Sequence, residues 1–331
     1  MKYRNLGRSN LQVSALCLGT MMFGDQTGLD EARAIVDDAH AQGVNYIDTA
    51  DVYTKGASET MVGELIRQQR HDWVLATKLG NKMSNRPNEG HFSASWMANE
   101  IDASLKRLRT DYVDILYMHL DINGMSLEEP LRALQAMLQA GKIRYWGVSN
   151  FRGWRIAEAV HVAAQLGMPA PVVCQPYYNL LNRMPEVEVL PACAHYGLGV
   201  TPYSPVARGV LTGKYAPGQA PDPTTRAGRG DKRITDTEFR QESLLIAQTL
   251  RLHAEAKGIS LAHFATAWVL ANPRVSSVIA GPRTLAQWQD YLPALDYTVT
   301  AEDEALVDSL VRPGHPSTPG YTDPAYPLNG R

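Results

Sequence analysis

The sequence predicts an α/β fold, a (β/α)8 TIM barrel that spans residues 1–331 as one domain. Short, apolar, β-branched segments alternate along the chain with longer segments of helical periodicity, an order typical of parallel βαβ units. The 331 residues allow two average domains of roughly 150 residues or one large barrel. No shift in composition marks a second domain, and eight strand and helix pairs favour the barrel.

The predicted strands are runs of four to seven mostly apolar residues. Parallel strands buried on both faces have this character, because helices cover the outside of the sheet. In chain order the predicted strands are Ala15–Leu18, Val44–Asp48, Trp73–Lys78, Val113–His119, Ile143–Val148, Val172–Gln175, Gly199–Tyr203 and Ser277–Ala280.

The segments between the strands carry apolar residues at the three- and four-residue spacing of one helix face. Residues at several helix ends agree with this periodicity: Ser95 precedes the third stripe, Gly141 follows the fourth, and Gly167 ends the fifth. The stripes are Ala32/Ile35/Val36/Ala39, Met61/Leu65, Ile101/Leu105/Leu108, Leu131/Leu134/Met137/Leu138, Ile156/Val160/Ala163/Ala164 and Leu245/Leu250/Ala254.

Two segments lack apolar periodicity. Residues 216–233 are rich in Pro, Gly, Thr and Arg and predict a long loop after the seventh strand, and residues 313–331 predict a similar tail. Such segments at the C-terminal face of a barrel are either lids and ligand clamps or plain surface insertions, and both readings stay open.

Composition favours a small-molecule ligand. The formal net charge of −2 gives no electrostatic reason to expect nucleic acid or an anionic membrane as a partner. Three widely separated cysteines suit a reducing compartment, and the N-terminus lacks the apolar core of a signal peptide. We therefore expect a cytoplasmic protein.

Several common site motifs are absent from the sequence. Neither G-x-G triplet has the third glycine of a Rossmann fingerprint, and the Gly209–Lys214 segment is one residue too short for a Walker A loop. The nine histidines include no H-x-H or H-x-x-x-H pair, so we expect no catalytic metal. The barrel must therefore carry its chemistry on other side chains.

Polar side chains lie where three neighbouring predicted strands end: Asp48, Lys78 and His119, with Tyr53 five residues after the first. In a barrel, the carboxyl ends of the strands face the active site. The Lys78 ammonium is expected to lower the pKa of the Tyr53 phenol, and Asp48 to keep the lysine charged. Neutral His119 can orient a carbonyl oxygen. One such residue alone is usually structural, but the four together predict a proton-transfer site with Tyr53 as its acid.

At these residues the chain resembles the aldo-keto reductase family, and the agreement extends over nearly its whole length. The resemblance implies a barrel that binds NADP(H) across its C-terminal mouth and reduces the carbonyl group of a small aldehyde or ketone. It also implies that Tyr53 is the general acid, Lys78 and Asp48 its tuners, and His119 the residue that orients the carbonyl. The matching segments are 16–20, 48–50 with Tyr53, 77–78, 111–114 with His119, 147–150, 175–179, 203–205 and 209–215.

The resemblance further implies how the nicotinamide and the diphosphate of the cofactor are held. Three polar residues match the positions that bind the carboxamide, and Tyr203 matches the aromatic residue that stacks on the ring. Ser204 follows Tyr203 in the matching segment 203–205. Leu211 and Lys214 match positions that lie along the pyrophosphate of the cofactor. The three carboxamide positions are Ser149, Asn150 and Gln175.

The phosphate end of the cofactor is expected where the eighth strand, followed by Gly281, runs into a helix. Backbone N–H groups at such a helix start suit an anion. Arg283 matches the arginine that pairs with the 2′-phosphate, which selects NADP over NAD. Gln287 and Asp290 match positions near the adenine, although asparagine is common in the family at the last.

No physiological substrate is named, but the substrate walls are expected to include Met22, Phe23, Tyr53, Trp96, Leu120, Asp121 and the C-terminal tail. Two other classes stay open: a cofactor-binding sensor or channel β-subunit with slow turnover, and a barrel hydrolase or lyase that uses no nicotinamide. The preferred direction of the reaction and the oligomeric state also stay open.

Overall fold

The structure, a computed structural model, describes residues 1–327. Eight parallel strands form one sheet, in which the last strand, Val278–Ala280, pairs with the first barrel strand, Leu16–Gly19, and the others follow in chain order. Parallel bridges from Val200 to Val275 and from Tyr203 to Ile279 bring the two ends of the sheet together, which confirms the predicted barrel. The strands are β3 Leu16–Gly19, β4 Tyr46–Asp48, β5 Val74–Leu79, β6 Val113–Met118, β7 Ile143–Ser149, β8 Val173–Gln175, β9 Gly199–Val200 and β10 Val278–Ala280.

Helices follow the strands and cover the outside of the sheet. The long helices bury most of the predicted apolar residues against the barrel, as the helix Leu29–Ala41 does with Ala32, Ile35, Val36 and Ala39. Two predicted stripe residues, Ala164 and Leu245, are exposed instead. The helix Gln241–Ala256 buries Leu244 and Ala247 together with the predicted Leu250 and Ala254. The helices are α1 Leu29–Ala41, α2 Ala57–Leu65, α3 Ala94–Leu108, α4 Glu128–Gln139, α5 Gly153–Gln165, α6 Val189–Tyr196, α7 Lys232–Thr235, α8 Gln241–Ala256, α9 Leu261–Ala271, α10 Leu285–Gln289 and α11 Ala301–Leu310.

An antiparallel hairpin that the sequence reading missed precedes the barrel. Its strands are β1, Tyr3–Asn5, and β2, Gln12–Ser14. Leu6 and Val13 are fully buried and pack with side chains of the barrel interior. The hairpin therefore closes the barrel at the end opposite the C-terminal mouth. Its two strands of three residues are too short to show a periodicity.

Each predicted strand differs from the observed one by one to three residues at an end. Three differences concern a strand end, a helix cap and a loop. Strand β9 ends at Val200, because Pro202 has no N–H to donate to the ladder. Helix α3 is capped by Ser93, whose side chain accepts a hydrogen bond from the Trp96 N–H, and not by Ser95. The predicted loop 216–233 ends in the short helix α7, and the last four residues of the predicted tail lie outside the described residues.

Candidate active site

A cavity of about 570 Å³ opens at the carboxyl ends of the barrel strands. Clefts of this size, roughly 300–1,000 Å³, typically hold small molecules. The side chains from the strand ends and from the loop after β9 share this one cavity. Of the sequence-predicted site residues, those that line it are Met22, Asp48, Tyr53, His119, Ser149, Asn150, Gln175, Tyr203, Ser204, Lys214, Gly281, Arg283, Gln287 and Asp290.

Lys78 is fully buried beneath the cavity floor and joins two of the predicted catalytic residues. Its ammonium contacts Asp48 Oδ1, donates to the Thr49 carbonyl at 2.8 Å and donates to the Tyr53 hydroxyl at 3.1 Å. Gln175 donates to the other Asp48 oxygen at 2.9 Å. The carboxylate, the ammonium and the phenol therefore form one connected chain that ends at the cavity.

Burial and neighbouring charges together set the pKa values of Tyr53 and Lys78. Burial raises the pKa of the Tyr53 phenol, and the nearby Lys78 ammonium opposes that rise without cancelling it. The sequence-based expectation of a lowered Tyr53 pKa is therefore wrong, because desolvation outweighs the lysine. Burial alone would lower the pKa of Lys78, but Asp48 and Tyr53 raise it overall, so the lysine stays charged. Tyr53 is a neutral phenol at neutral pH and holds a proton it can donate.

His119 lies beside the phenol, with its ring centroid 5.9 Å from that of Tyr53 in an edge-on arrangement. Burial and the Lys78 charge hold its pKa well below 6.5, so the imidazole is neutral at neutral pH. Its Nδ1 is buried without a hydrogen-bond partner among residues 1–327. A neutral imidazole at this place can bind the carbonyl oxygen of a substrate without competing for the Tyr53 proton.

The turn that carries Tyr53 has an unusual backbone. Thr54 and Lys55 both have positive φ, at 49° and 54°, and Gly56 follows at 89°. Left-handed backbone is unfavourable for residues with a Cβ and persists where the surroundings enforce it, often at functional sites. Here helix α2 begins directly after the turn. The chain must therefore reverse sharply to direct Tyr53 toward Lys78.

The predicted carboxamide-binding residues already bond to one another. Asn150 donates to the His119 carbonyl at 3.0 Å and accepts a hydrogen bond from the Tyr203 hydroxyl at 2.8 Å. The Ser149 hydroxyl donates to the Gln175 carbonyl at 2.9 Å. The Tyr203 ring packs against Tyr177 with 5.3 Å between centroids. These contacts hold the wall next to Tyr53 and His119 in place.

The far end of the cavity is cationic. Partial burial and three arginines, Arg283, Arg226 and Arg229, lower the pKa of Lys214. Arg283 and Arg229 both donate to the carboxamide oxygen of Gln26, at 3.2 and 3.1 Å, while Arg226 pairs with Asp231 at 2.7 Å. Among the described residues, Arg226 is the one of these four cations that forms an ion pair, an arrangement that fits an anionic ligand.

Three of the backbone N–H groups at the start of helix α10 are already bonded within the protein. The Leu285 N–H donates to Glu31 at 2.5 Å, the Arg283 N–H donates to Gln287 at 3.0 Å, and the Thr284 hydroxyl caps the Gln287 N–H. Asp290 lines the cavity but accepts a hydrogen bond from His263 at 2.8 Å. The charged side chains at this end of the cavity are therefore expected to provide much of its affinity for an anion.

Five predicted contact residues do not line the cavity. Phe23 and Leu211 are fully buried in the hydrophobic core, and Leu120 packs against that core. The Asp121 carboxylate pairs with Arg155 at 2.9 Å. Met22 lines the cavity as predicted, together with Met21, whereas Trp96 is not among the lining residues. In a loop, neighbouring residues can point in different directions. The periodicity of a sequence does not predict loop conformation, so it could not show which of these side chains face the cavity.

The sequence reading missed several cavity residues from the loops. They include Gln26, Arg208, Arg226, Arg229, Arg233 and Tyr326. For three of them, Arg226, Arg229 and Arg233, the high arginine content of residues 216–233 could have indicated a role.

In the part of the chain that the structure describes, no group of three His, Cys, Asp or Glu side chains is arranged to hold a metal. No helix in that part has the length and hydropathy to cross a membrane.

The chain is similar in sequence to known proteins. Residues 15–312 match the model of the "Aldo/keto reductase family". A "Probable voltage-gated potassium channel subunit beta" from Oryza sativa subsp. japonica is 38% identical over 330 residues, covering 97% of this chain and all of the relative. An "Uncharacterized oxidoreductase YrpG" from Bacillus subtilis is 33% identical, over 98% of this chain and 99% of the relative. An "L-glyceraldehyde 3-phosphate reductase" from Escherichia coli O157:H7 is 32% identical, covering 95% and 93%.

These matches extend across the same elements that build the barrel and its cavity. The family match begins at the first barrel strand and ends just after α11, so it includes all eight strand ends that surround the cavity. By both its sequence and its barrel, this chain belongs to the aldo/keto reductase family.

Proposed function

We propose that the protein is an NADPH-dependent oxidoreductase that reduces the carbonyl group of an aldehyde or ketone to an alcohol, with Tyr53 as the general acid. The observation that carries the proposal is the contact of a buried, charged Lys78 with a neutral Tyr53 phenol at the cavity wall. A proton donor backed by a fixed cation suits a reaction in which negative charge develops on oxygen.

The cofactor assignment is supported by the charge and the lining residues of the cavity. A 2′-phosphorylated dinucleotide carries about four negative charges at its phosphates. The cationic end supplies Lys214, Arg226, Arg229 and Arg283. Tyr203 and Asn150 line the end that contains Tyr53, where a flat, polar ring could stack and bond. We propose that NADPH lies between these two ends.

The residues then have separate roles in reduction. When bound, NADPH supplies the hydride that forms the new carbon–hydrogen bond. Tyr53 donates its proton to the carbonyl oxygen, so that the alcohol leaves neutral. Lys78 stabilises the phenolate that remains, and Asp48 holds Lys78 in place. His119 stays neutral throughout the reaction and keeps the carbonyl oxygen near the phenol.

The test is NADPH oxidation with a panel of small aldehydes and ketones, by the unaltered protein and by Tyr53→Phe. We expect turnover by the former and loss of at least about a hundredfold in kcat by the variant, with the NADPH Kd nearly unchanged. The Kd is measured by titration of NADPH fluorescence. Binding of neither NADPH nor NADH would overturn the proposal, and full turnover by Tyr53→Phe would overturn the assigned acid.

A second candidate is a cofactor-binding subunit of a channel, because two plant relatives named as potassium channel β-subunits are each 38% identical to this chain. Such a subunit would bind NADPH, turn over slowly and form a stable complex with a membrane protein. Brisk turnover by the purified protein favours the reductase, and slow turnover with tight NADPH binding favours the subunit.

A further inference from the structure

Arg208 has a nearly buried guanidinium that forms no hydrogen bond within residues 1–327. Its side chain is 6% exposed and lines the cavity, and its buried Nη1 has no partner. The other arginines buried to this degree are fully engaged: Arg70 makes four side-chain hydrogen bonds, and Arg155 and Arg183 make three each. A guanidinium has five N–H donors, and burying them without acceptors is costly.

The nearest carboxylate, Glu238, forms an ion pair with Arg208 but accepts no hydrogen bond from it. Glu238 lies 3.6 Å away, beyond hydrogen-bond distance, and the same oxygen already accepts a hydrogen bond from the Tyr177 hydroxyl. The guanidinium stacks over the Tyr177 ring, 4.4 Å from its centroid. These contacts hold the guanidinium in one orientation, although none of its N–H groups forms a hydrogen bond within residues 1–327. A guanidinium held in this way can bind the oxygen atoms of a carboxylate or phosphate group.

The loop that carries Arg208 is also strained. Ala207 and Arg208 have φ of 47° and 52°, and Ser204 has φ of 57°. Three residues with a Cβ in left-handed backbone persist only where the surroundings enforce them. The strained loop directs Arg208 toward the cavity, which agrees with a binding role for its side chain.

Arg208 belongs to a different part of the cavity from the phosphate-binding cations. Its guanidinium stacks on Tyr177, whose ring packs against Tyr203 with 5.3 Å between centroids. Lys214 lies instead near the charges of Arg283, Arg226 and Arg229. Arg233 is already paired with Asp323 through two hydrogen bonds of 2.9 and 2.7 Å. The four cations of the far end match the charge of the cofactor phosphates, so Arg208 is left for another anion.

We propose that Arg208 binds an anionic group of the substrate, so that the preferred substrates are aldehydes or ketones that carry a phosphate or a carboxylate. This inference rests on the proposed reductase function and names its substrate class. The anionic group would bind beside Tyr203, and the carbonyl would extend to Tyr53. The diphosphate of the cofactor has the same chemistry, and the experiment separates the two sources.

The test compares two substrates that differ only in a phosphate, glyceraldehyde 3-phosphate and glyceraldehyde, in the unaltered protein, Arg208→Gln and Arg208→Lys. We expect kcat/KM to favour the phosphorylated aldehyde, and this ratio to fall at least about tenfold in Arg208→Gln. Arg208→Lys keeps the charge and recovers part of the ratio. Arg132→Gln, at an exposed helix position, serves as the control and keeps the original ratio.

Each other outcome overturns the inference. An unaltered protein that reduces both aldehydes equally well has no anion preference, and the reductase function then stands alone. An Arg208→Gln variant whose NADPH Kd rises, with equal losses for both aldehydes, assigns Arg208 to the cofactor diphosphate. A protein that reduces neither aldehyde, nor any of the panel above, removes the reductase function itself.

Arg208→Gln leaves Glu238 buried without its neighbouring cation, which could reduce stability and obscure the kinetics. The double variant Arg208→Gln/Glu238→Gln removes both charges and is assayed alongside. The inference requires that the double variant also lose the preference for the phosphorylated aldehyde. A double variant that keeps the original ratio overturns it.

Discussion

The ammonium nitrogen of Lys78 lies 3.1 Å from the Tyr53 hydroxyl oxygen and donates a hydrogen bond to it. The other two donors of the ammonium are used by Asp48 and by the Thr49 carbonyl. With all three donors engaged, Lys78 is held as a fixed charge behind the phenol. Its effect on Tyr53 is therefore set by the fold before any ligand binds.

Replacement of Lys78 by methionine removes this charge while keeping a long side chain. We expect kcat for carbonyl reduction to fall by about 10²–10⁴, because the tyrosinate that forms during proton transfer loses its stabilising cation. The free energy of unfolding also falls, by about 3–5 kcal/mol, since Asp48 is left as an unpaired buried carboxylate. Steady-state kinetics and thermal unfolding measure the two effects.

The double variant Lys78→Met/Asp48→Asn separates stability from catalysis. Removing both charges should restore most of the stability but none of the activity. Recovery of kcat together with stability would show that Lys78 acts only through the fold.

The pH dependence of reduction follows from Tyr53 and His119. Tyr53 must be protonated to act, and burial raises its pKa above the usual 10, so kcat/KM is retained below that pH and lost above it. Burial and Lys78 hold the pKa of His119 well below 6.5, so no inflection is expected near pH 6.5. Measurement of kcat/KM at saturating NADPH tests both statements. An inflection near pH 6.5 that disappears in His119→Gln would contradict the second.

Arg283→Ala should weaken the preference for NADPH over NADH. Arg283 is one of the four cations at the cationic end of the cavity. Within residues 1–327 its guanidinium donates to the neutral oxygen of Gln26 and forms no ion pair, so its charge is available to a 2′-phosphate. Loss of one charge-assisted contact corresponds to about a tenfold rise in the NADPH Kd and to little change for NADH. Fluorescence titration of both cofactors measures the ratio. An equal weakening for both cofactors would assign Arg283 to a group that they share.

The barrel and the group around Lys78 could be predicted from the sequence for one physical reason. Parallel strands place their carboxyl ends at one mouth, so Asp48, Lys78 and His119 come together wherever the strands are correctly identified. The strands themselves follow from local apolar runs. The hairpin Tyr3–Asn5 and Gln12–Ser14 has no such run, and so it was missed.

The rest of the candidate site depends on loops, whose conformation the sequence pattern does not fix. Phe23 was expected at the cavity but lies in the core, while Met21 and Met22 face the cavity. Arg208 is placed by left-handed residues that no periodicity signals. The balance between burial and charge at Tyr53 also required the three-dimensional surroundings, because the lysine and the desolvation act in opposite directions.

The turn after Tyr53 can be relaxed by Thr54→Gly. Glycine adopts the observed φ of 49° without a Cβ clash, so the free energy of unfolding should rise by up to about 1 kcal/mol. Thr60→Gly, within helix α2, is the matched control and should lower it by about the same amount. Chemical denaturation measures both. A destabilised Thr54→Gly would mean that the threonine side chain contributes more than its backbone strain costs.

The C-terminal tail places Tyr326 at the cavity, and the Asp323–Arg233 pair fixes the tail to helix α7. Asp323→Asn keeps the shape of the side chain but removes its charge, which weakens the attachment by about 1 kcal/mol after solvent screening. We expect the tail to be cut sooner in limited proteolysis and the KM for carbonyl substrates to rise about fivefold, with kcat changed less. Asp296→Asn, at a site distant from the tail, controls for the loss of one charge. An unchanged KM together with faster cleavage would show that the tail covers the barrel surface without contributing to substrate binding.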